Sequence, residues 1–259
     1  MPTDAVLFEI RPKAIGLVTL NRPANRNSMT RELLDAFGDA IDQCLAADLR
    51  ALVITGRGHC FSAGADFKDV VQREGGLPHE RSYAMYAPFL RVLEVSVPVI
   101  AAMNGHAVGG GFGLSLLADL RYAAEDAKYG ANFARLGIHP GMGISYLLPQ
   151  LIGVPRANDL LFTGRLVLGR EAASFGLVNE AVPAAEVLDR ALAVADRIAM
   201  NAPVVIRETK RTLREFRRWT IEDAARREAF VQAETLETED AAEGVAALLE
   251  KRSPEFQGR

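Results

Sequence analysis

The stretch PVIAAMNGHAVGGGFGLSLLADLRYA at residues 98–123 changes its local pattern three times. VIAAMNG at 99–105 is an almost unbroken apolar run, which suits a strand buried on both faces. A glycine-rich turn follows, then a short apolar helix from Gly110 to Ala118, then a short strand over Leu120–Ala123. Strand, glycine turn, helix and strand in so few residues predict an α/β core.

The same grammar extends outward in both directions. ALVITG at 51–56 reads as a buried strand entering a glycine-containing loop. Before it, Thr30 is a good N-cap for a helix whose apolar positions are Leu33, Leu34, Phe37, Ala40, Ile41, Cys44 and Leu45. VLFEI and AIGLVTL, either side of an Arg11–Lys13 turn, read as two short strands, and LNRPANRNSMT at 20–30 as an irregular loop. Residues 81–94 are helical in pattern. Beyond 123, a short strand is expected at Lys128–Gly130, a helix after Gly141–Gly143, and a last strand near Leu177–Val182. From Ala184 the character changes to three successive helical segments, roughly 184–199, 203–231 and 238–251, with apolar positions such as Leu188, Leu192, Ile198, Leu213, Phe216, Phe230 and Leu248. The chain is accordingly divided into a core over 1–195 and a helical region over 196–259. That region packs either on another subunit or back onto the core, and the sequence alone leaves both open.

Composition narrows the function classes. With 259 residues, 49% hydrophobic and 24% charged, the chain can bury roughly 70–75% of its unfolded surface. A formal charge of −3 argues against a nucleic-acid surface, which needs a strong basic field. The start MPTDAVLFEIRP carries an acidic residue where a secretory leader would be basic, and no eighteen-residue apolar run occurs, so a cytoplasmic location without a membrane span is expected. Two cysteines, Cys44 and Cys60, make no disulfide framework, and four scattered histidines make no metal pattern. One basic stretch stands out: Arg207, Lys210, Arg211, Arg214, Arg217, Arg218, Arg226 and Arg227, interleaved with Glu208, Glu215, Glu222 and Glu228. It reads as a solvated helix face, with a phosphate-bearing ligand or a neighbouring subunit as the alternative.

Two loops could carry chemistry. CFSAGADF at 60–67 places glycine and small residues directly after a strand–loop unit, and NGHAVGGGFG at 104–113 runs straight into an apolar helix. Glycine allows close backbone approach, and the first N–H groups of a helix are unpaired at the positive end of its dipole. Either loop alone is an ordinary tight turn. Together they suggest a pair of donors for an oxygen that gains negative charge.

These loops, with LNRPANRNSMT, LGIHPGMG at 136–143, LLFTGRLVLGREAASFGLVNEAVP at 160–183 and DAAEGVAALLEKRSPEF at 240–256, occur in the order that resembles the enoyl-CoA hydratase/isomerase, or crotonase, family over essentially the whole chain. The resemblance implies a crotonase-like spiral of repeated ββα units with a C-terminal helical trimerisation section. It implies an acyl-coenzyme A ligand, no other cofactor and no metal, and a homotrimer or dimer of trimers. Ala65 and Gly110 match the two donors that hold the thioester oxygen as an enolate forms. Arg22, Arg26, Ala63 and Lys251 match positions that border the coenzyme A, although an arginine or lysine there can equally be surface charge.

The family's acid–base pattern fails in this chain. The positions of the two hydratase glutamates are occupied by Gly113 and Phe133, and the turn position at which some relatives carry an aspartate is Gly141. Water addition needs one group to activate water and another to deliver a proton, and none of these three can do either. Phe133 makes that wall drier and bulkier, and Gly113 is expected to leave open space. Replacement bases could be His139, His106 or Asp69, or the helix residues His79, Glu80 and Tyr83; Asp66 reads as a cap or brace of its turn and Asp119 as structural. The acyl pocket is assigned to Asp69, Gly113, Phe133 and His139. The function expected is enolate stabilisation on an acyl-CoA with hydration weak or absent, the alternatives being an isomerase or decarboxylase with an atypical site, or a noncatalytic acyl-CoA binder.

Overall fold

The structure, a computed structural model, describes residues 4–66, 78–136, 139–215, 238–250, 252 and 254–259. Asp69, Phe216, Phe230, Lys251 and the arginines Arg217, Arg218, Arg226 and Arg227 lie outside them, as do the side chains of His79, Glu80 and Leu248.

Strand β1 (Val6–Arg11) pairs antiparallel with β2 (Ile15–Leu20), in register from Val6 opposite Leu20 to Arg11 opposite Ile15. From β2 onward the sheet is parallel, in the order β1-β2-β3-β5-β7-β10, with β3 (Ala51–Gly56), β5 (Val99–Met103), β7 (Leu120–Ala124) and β10 (Glu180–Val182). Every residue of β3 and β5 is buried. Strands covered on both faces need continuous apolar sequence, which is why ALVITG and VIAAM show no alternation.

Each of β3, β5 and β7 turns a corner into a three-residue strand of a second sheet. These are β4 (Cys60–Ser62), β6 (His106–Val108) and β8 (Lys128–Gly130), closed by β9 (Val167–Leu168) in the order β4-β6-β8-β9. The strand–strand step thus recurs and the chain winds as a spiral. Polar side chains lock successive corners together. Asn104 accepts from the Gly56 N–H at 3.1 Å and donates to the Gly58 carbonyl at 2.8 Å. The buried Tyr129 hydroxyl lies 3.0 Å from the Met103 carbonyl and 3.1 Å from that of Ala124. β4 and β6 fall in the segments expected to be loops. Strands this short, bounded by glycine, carry no readable period.

Helix α1 (Arg31–Ala46) is capped by Thr30, whose side chain accepts from the Leu33 N–H at 3.3 Å, and it buries Leu33, Leu34, Phe37, Ala40, Ile41 and Cys44 at helical spacing. Helix α2 (Pro78–Leu90) leads into a single-turn 3₁₀ segment, Arg91–Glu94. Helix α3 (Gly110–Leu117) is buried at all eight positions, beside β4 and β6 on one side and α2 and α4 (Ile144–Ile152) on the others. Only a helix apolar all round can sit there. Beyond α4 come α5 (Val154–Thr163) and α6 (Gly169–Ser174).

The helical section from 184 onward does not leave the core at once. Helix α7 (Val187–Ala199) runs unbroken through residue 195 and packs on β3, β5 and β7. Helix α8 (Pro203–Glu215) is tied down by Lys210, which donates to the Val97 carbonyl at 2.6 Å and pairs with Asp119 at 2.7 Å. Lys210 is 5% exposed, so the basic stretch is not a uniformly solvated face. Arg214 donates to the Leu93 carbonyl at 2.7 Å, and Arg211 pairs with Glu208. After α9 (Glu239–Glu250), the buried carboxylate of Asp240 accepts from the N–H groups of Gln257 and Gly258, and Arg50 donates to the Phe256 carbonyl at 3.2 Å. These contacts are made back onto the chain's own core. Among the described residues no helix is long and apolar enough to cross a membrane.

Candidate active site

The segment after β4 is held by the loop at 22–29. Asn27, fully buried with φ at 52°, takes the Arg22 N–H on its Oδ1 at 2.7 Å and donates to the carbonyls of Cys60 at 2.8 Å and Arg57 at 3.1 Å. The Ser62 hydroxyl donates to the Asn27 carbonyl at 2.8 Å, and Ala63 N–H donates to the Arg26 carbonyl at 3.0 Å. Met29 N–H donates to the Gly64 carbonyl at 2.9 Å, forming an isolated parallel bridge between Met29 and Ala65. This bridge leaves the Ala65 N–H unused. Asn27 is the clasp of the arrangement, and an asparagine in an irregular loop carries no signal in sequence until its partners are known.

The second loop ends at Gly109, whose φ of 57° and ψ of −122° turn the chain from β6 into α3. Gly110 is the first residue of that helix, and its N–H has no intrahelical partner. The two loops touch. A β-carbon on Gly64, at φ 82°, would lie 2.6 Å from the Val108 carbonyl oxygen and 3.0 Å from the Gly110 nitrogen; one on Gly111 would lie 2.3 Å from the Ser62 carbonyl oxygen. Any side chain at 64 would therefore strike the second loop beside the Gly110 N–H. Neither the Ala65 nor the Gly110 N–H donates to another described residue. Two unpaired donors from abutting loops, one at the positive end of a buried helix, can hold an oxygen that gains charge.

Around them the walls are apolar. Met29, fully buried, sets its sulfur against Gly110, where a β-carbon would meet it at 2.3 Å. Phe133, 7% exposed, brings its Cζ to within 3.9 Å of the β-carbon position of Gly109. Gly113 does not leave the open space expected of it. A β-carbon there would lie 2.6 Å from Met142 Cβ and 3.0 Å from its Cγ, so Met142 fills the site. Met142 reaches it from a turn in which its own φ is 61°. At Gly141 the equivalent space is taken by Tyr86 of α2, whose Oη lies 2.4 Å from the β-carbon position. Neither Met142 nor Tyr86 could be singled out from sequence, since both lie far along the chain from the glycines they cover.

The other candidates fall at different places. His139 is exposed, its Nδ1 2.7 Å from the Pro140 carbonyl oxygen, in the turn that carries Gly141. His106 lies on β6, where its Nδ1 accepts from the Lys128 N–H at 2.9 Å; burial, then His59 and Lys128, hold it below the usual imidazole range. Tyr83 is 64% exposed, and Asp66 directly follows Ala65. Asp119 accepts from the Val99 N–H at 2.8 Å as well as from Lys210, a structural role. Arg22 is engaged by Glu32 in an ion pair, and Arg26 is exposed with φ at 58°. Burial pushes the Cys60 thiol up to about 11 and Cys44 to about 12, which makes both poor nucleophiles. No group of three or more metal-ligating side chains occurs among the described residues. A cavity of about 620 Å³ lies at the opposite end of α3, lined by Leu117, Leu147, Leu151, Leu213 and the Asp119–Lys210 pair, away from the two donors.

Residues 11–259 match the family model described as enoyl-CoA hydratase/isomerase. A Thermus thermophilus protein provisionally named as an enoyl-CoA hydratase is 39% identical over 255 residues, covering 96% of this chain and 100% of its own. Among solved structures, an enoyl-CoA hydratase from Bacillus anthracis superposes with a TM-score of 0.93 at 32% identity, covering 98% of this chain and 100% of the other. One from Mycobacterium tuberculosis H37Rv gives 0.89 at 31%, with complete coverage of both chains.

Proposed function

Because the chain belongs to the enoyl-CoA hydratase/isomerase family, we propose that it binds an acyl-CoA thioester and stabilises its enolate through the N–H groups of Ala65 and Gly110, with water addition weak or absent. The observation that carries this reading is the contact of the two loops with both N–H groups unspent. As an α-carbon becomes a carbanion, its charge moves onto the thioester oxygen. Two fixed donors meet that charge, and one such donor is worth about 3–4 kcal/mol in a dry site.

The surroundings set what else can happen. At the glutamate positions of family hydratases stand Phe133 and a glycine whose side-chain space Met142 occupies, so no carboxylate is available there to activate water. A reaction that generates the enolate without a base fits the remaining parts. In loss of carbon dioxide from a malonyl-type ester, the electrons of the breaking carbon–carbon bond pass into the enolate, and a proton then closes the α-carbon. Isomerisation would need a base from elsewhere, and His139 and Asp69 are the pocket residues we assign to that search. The apolar walls at Met29, Phe133 and Met142 favour, as a second reading, a binder that holds acyl-CoA without turning it over. Arg22, Arg26, Ala63 and Lys251 are the residues proposed to meet the coenzyme A portion. The protein is proposed to work in the cytoplasm as a homotrimer or dimer of trimers, with residues 196–259 serving the assembly of cores formed by 1–195.

The test compares butyryl-CoA with its thioether analogue S-butyl-CoA, which lacks the carbonyl oxygen. The thioester is expected to bind at least tenfold more tightly, and Ala65→Pro, which removes one N–H that the Met29 bridge does not use, should erase most of that margin in a protein that still folds by circular dichroism. Equal affinities in the parent protein would sink the donor assignment. A mass-spectrometric screen with crotonyl-, dienoyl- and malonyl-type CoA esters separates turnover from carriage, and rapid hydration of crotonyl-CoA would refute the account of Phe133 and Gly113.

A further inference from the structure

The buried rotation of α2 is fixed by Met85 and Phe89, 8% and 0% exposed, with the Phe89 ring edge-on to Phe37 at 4.8 Å between centroids. These two residues are four apart and point into the core. Tyr86, one residue on, is turned away from that stripe and meets the 139–143 turn. Its Oη and Cζ lie 2.4 and 2.5 Å from where a side chain on Gly141 would begin, so the end of the ring fills that space. The next residue in the turn is Met142, packed on Gly113, and Gly113 stands about one helical turn beyond the donor Gly110. The phenol therefore meets the turn from which Met142 reaches the wall at Gly113.

That wall is otherwise poor in hydrogen-bonding capacity. Met29, Phe133 and Met142 offer carbon and sulfur, whereas Tyr86 is half-buried and its hydroxyl makes no hydrogen bond to any described residue. The hydroxyl is not sealed away from water, so a ligand that displaces that water meets an O–H able to donate to an oxygen.

We infer that Tyr86 is the specificity residue of the acyl chamber, its hydroxyl donating a hydrogen bond to an oxygen carried by the acyl group beyond the thioester carbonyl. This rests on the acyl-CoA reading given above. Burial holds the phenol above its usual range, so it is a neutral donor at physiological pH. The preferred ligand class is an acyl-CoA bearing a hydroxyl or keto oxygen. A purely hydrocarbon chain leaves the phenol unpaired, and such mismatches discriminate well.

The experiment measures dissociation constants of 3-hydroxybutyryl-CoA and butyryl-CoA for the parent protein and for Tyr86→Phe, which keeps the ring and deletes only the oxygen. We expect the parent to prefer the hydroxylated ester by about tenfold. In Tyr86→Phe the two constants should converge to within about twofold, with butyryl-CoA affinity held. Gly141→Ala, whose β-carbon displaces the phenol, should lose the preference too. Equal affinities in the parent, or a preference that survives Tyr86→Phe, overturn the inference while leaving the acyl-CoA reading standing. Failure of the parent to bind either ester overturns both.

Discussion

Gly113 and Met142 show how a missing functional group differs from a vacant one. A carboxylate cannot be returned to position 113 by substitution alone, because its β-carbon would enter Met142 at 2.6 Å, and Met142 is held by a left-handed turn at φ 61°. Gly113→Glu should cost about 1–3 kcal/mol as overpacking, read from denaturant unfolding, and should add no hydration of crotonyl-CoA. Adding Met142→Gly clears the space and suits the positive φ, so the double variant should recover most of the lost stability. A Gly113→Glu protein as stable as its parent would show that Met142 moves aside. Gly64 is constrained more tightly still, by φ 82° together with backbone atoms of the second loop, so Gly64→Ala should part the loops and abolish thioester preference in the butyryl-CoA comparison.

Between elements, the informative tie is the one from α8 to the starts of β5 and β7, through Lys210, Asp119 and the Val97 carbonyl. Burial lowers the Lys210 ammonium from 10.5 to about 8, against the opposing pull of Asp119 and with help from Arg214. A lysine depressed in the folded state carries its full burial penalty below pH 8, where both states are protonated. Between about 8 and 10.5 the folded protein releases the proton first, the unfolded chain binds more, and stability from this group rises with pH. The stability difference between the parent and Lys210→Met should therefore shift in favour of the parent across that window, by at most about 3 kcal/mol. A difference flat with pH would mean that the pair stays ionised throughout. Asp119 was readable as structural from its place at the end of an apolar helix. Its partner was not, because Lys210 sits in a run of surface-like charges ninety residues away.

For the molecule as a whole, the described C-terminal segments are bonded to the spiral rather than appended to it. α7 lies on three strands of the main sheet, Lys210 and Arg214 reach the carbonyls of Val97 and Leu93, and Arg50 holds the Phe256 carbonyl. Calorimetric unfolding is expected to show one cooperative transition, and two well-separated ones would indicate that the helical region melts by itself. The sequence determined the strands buried on both faces, the capped helix after Thr30 and the glycine loops that open α3, because continuous apolar runs, caps and glycines are local statements of burial and backbone freedom. It also places no carboxylate at 113 or 133 and singles out Ala65 and Gly110, the N–H groups proposed here as donors. The three-residue strands of the second sheet, the Asn27 clasp, the filling of Gly113 by Met142 and the approach of Tyr86 to Gly141 were decided only in three dimensions. Each depends on atoms brought together across tens of residues, and no local period or spacing encodes which side chain will occupy the space that a distant glycine leaves.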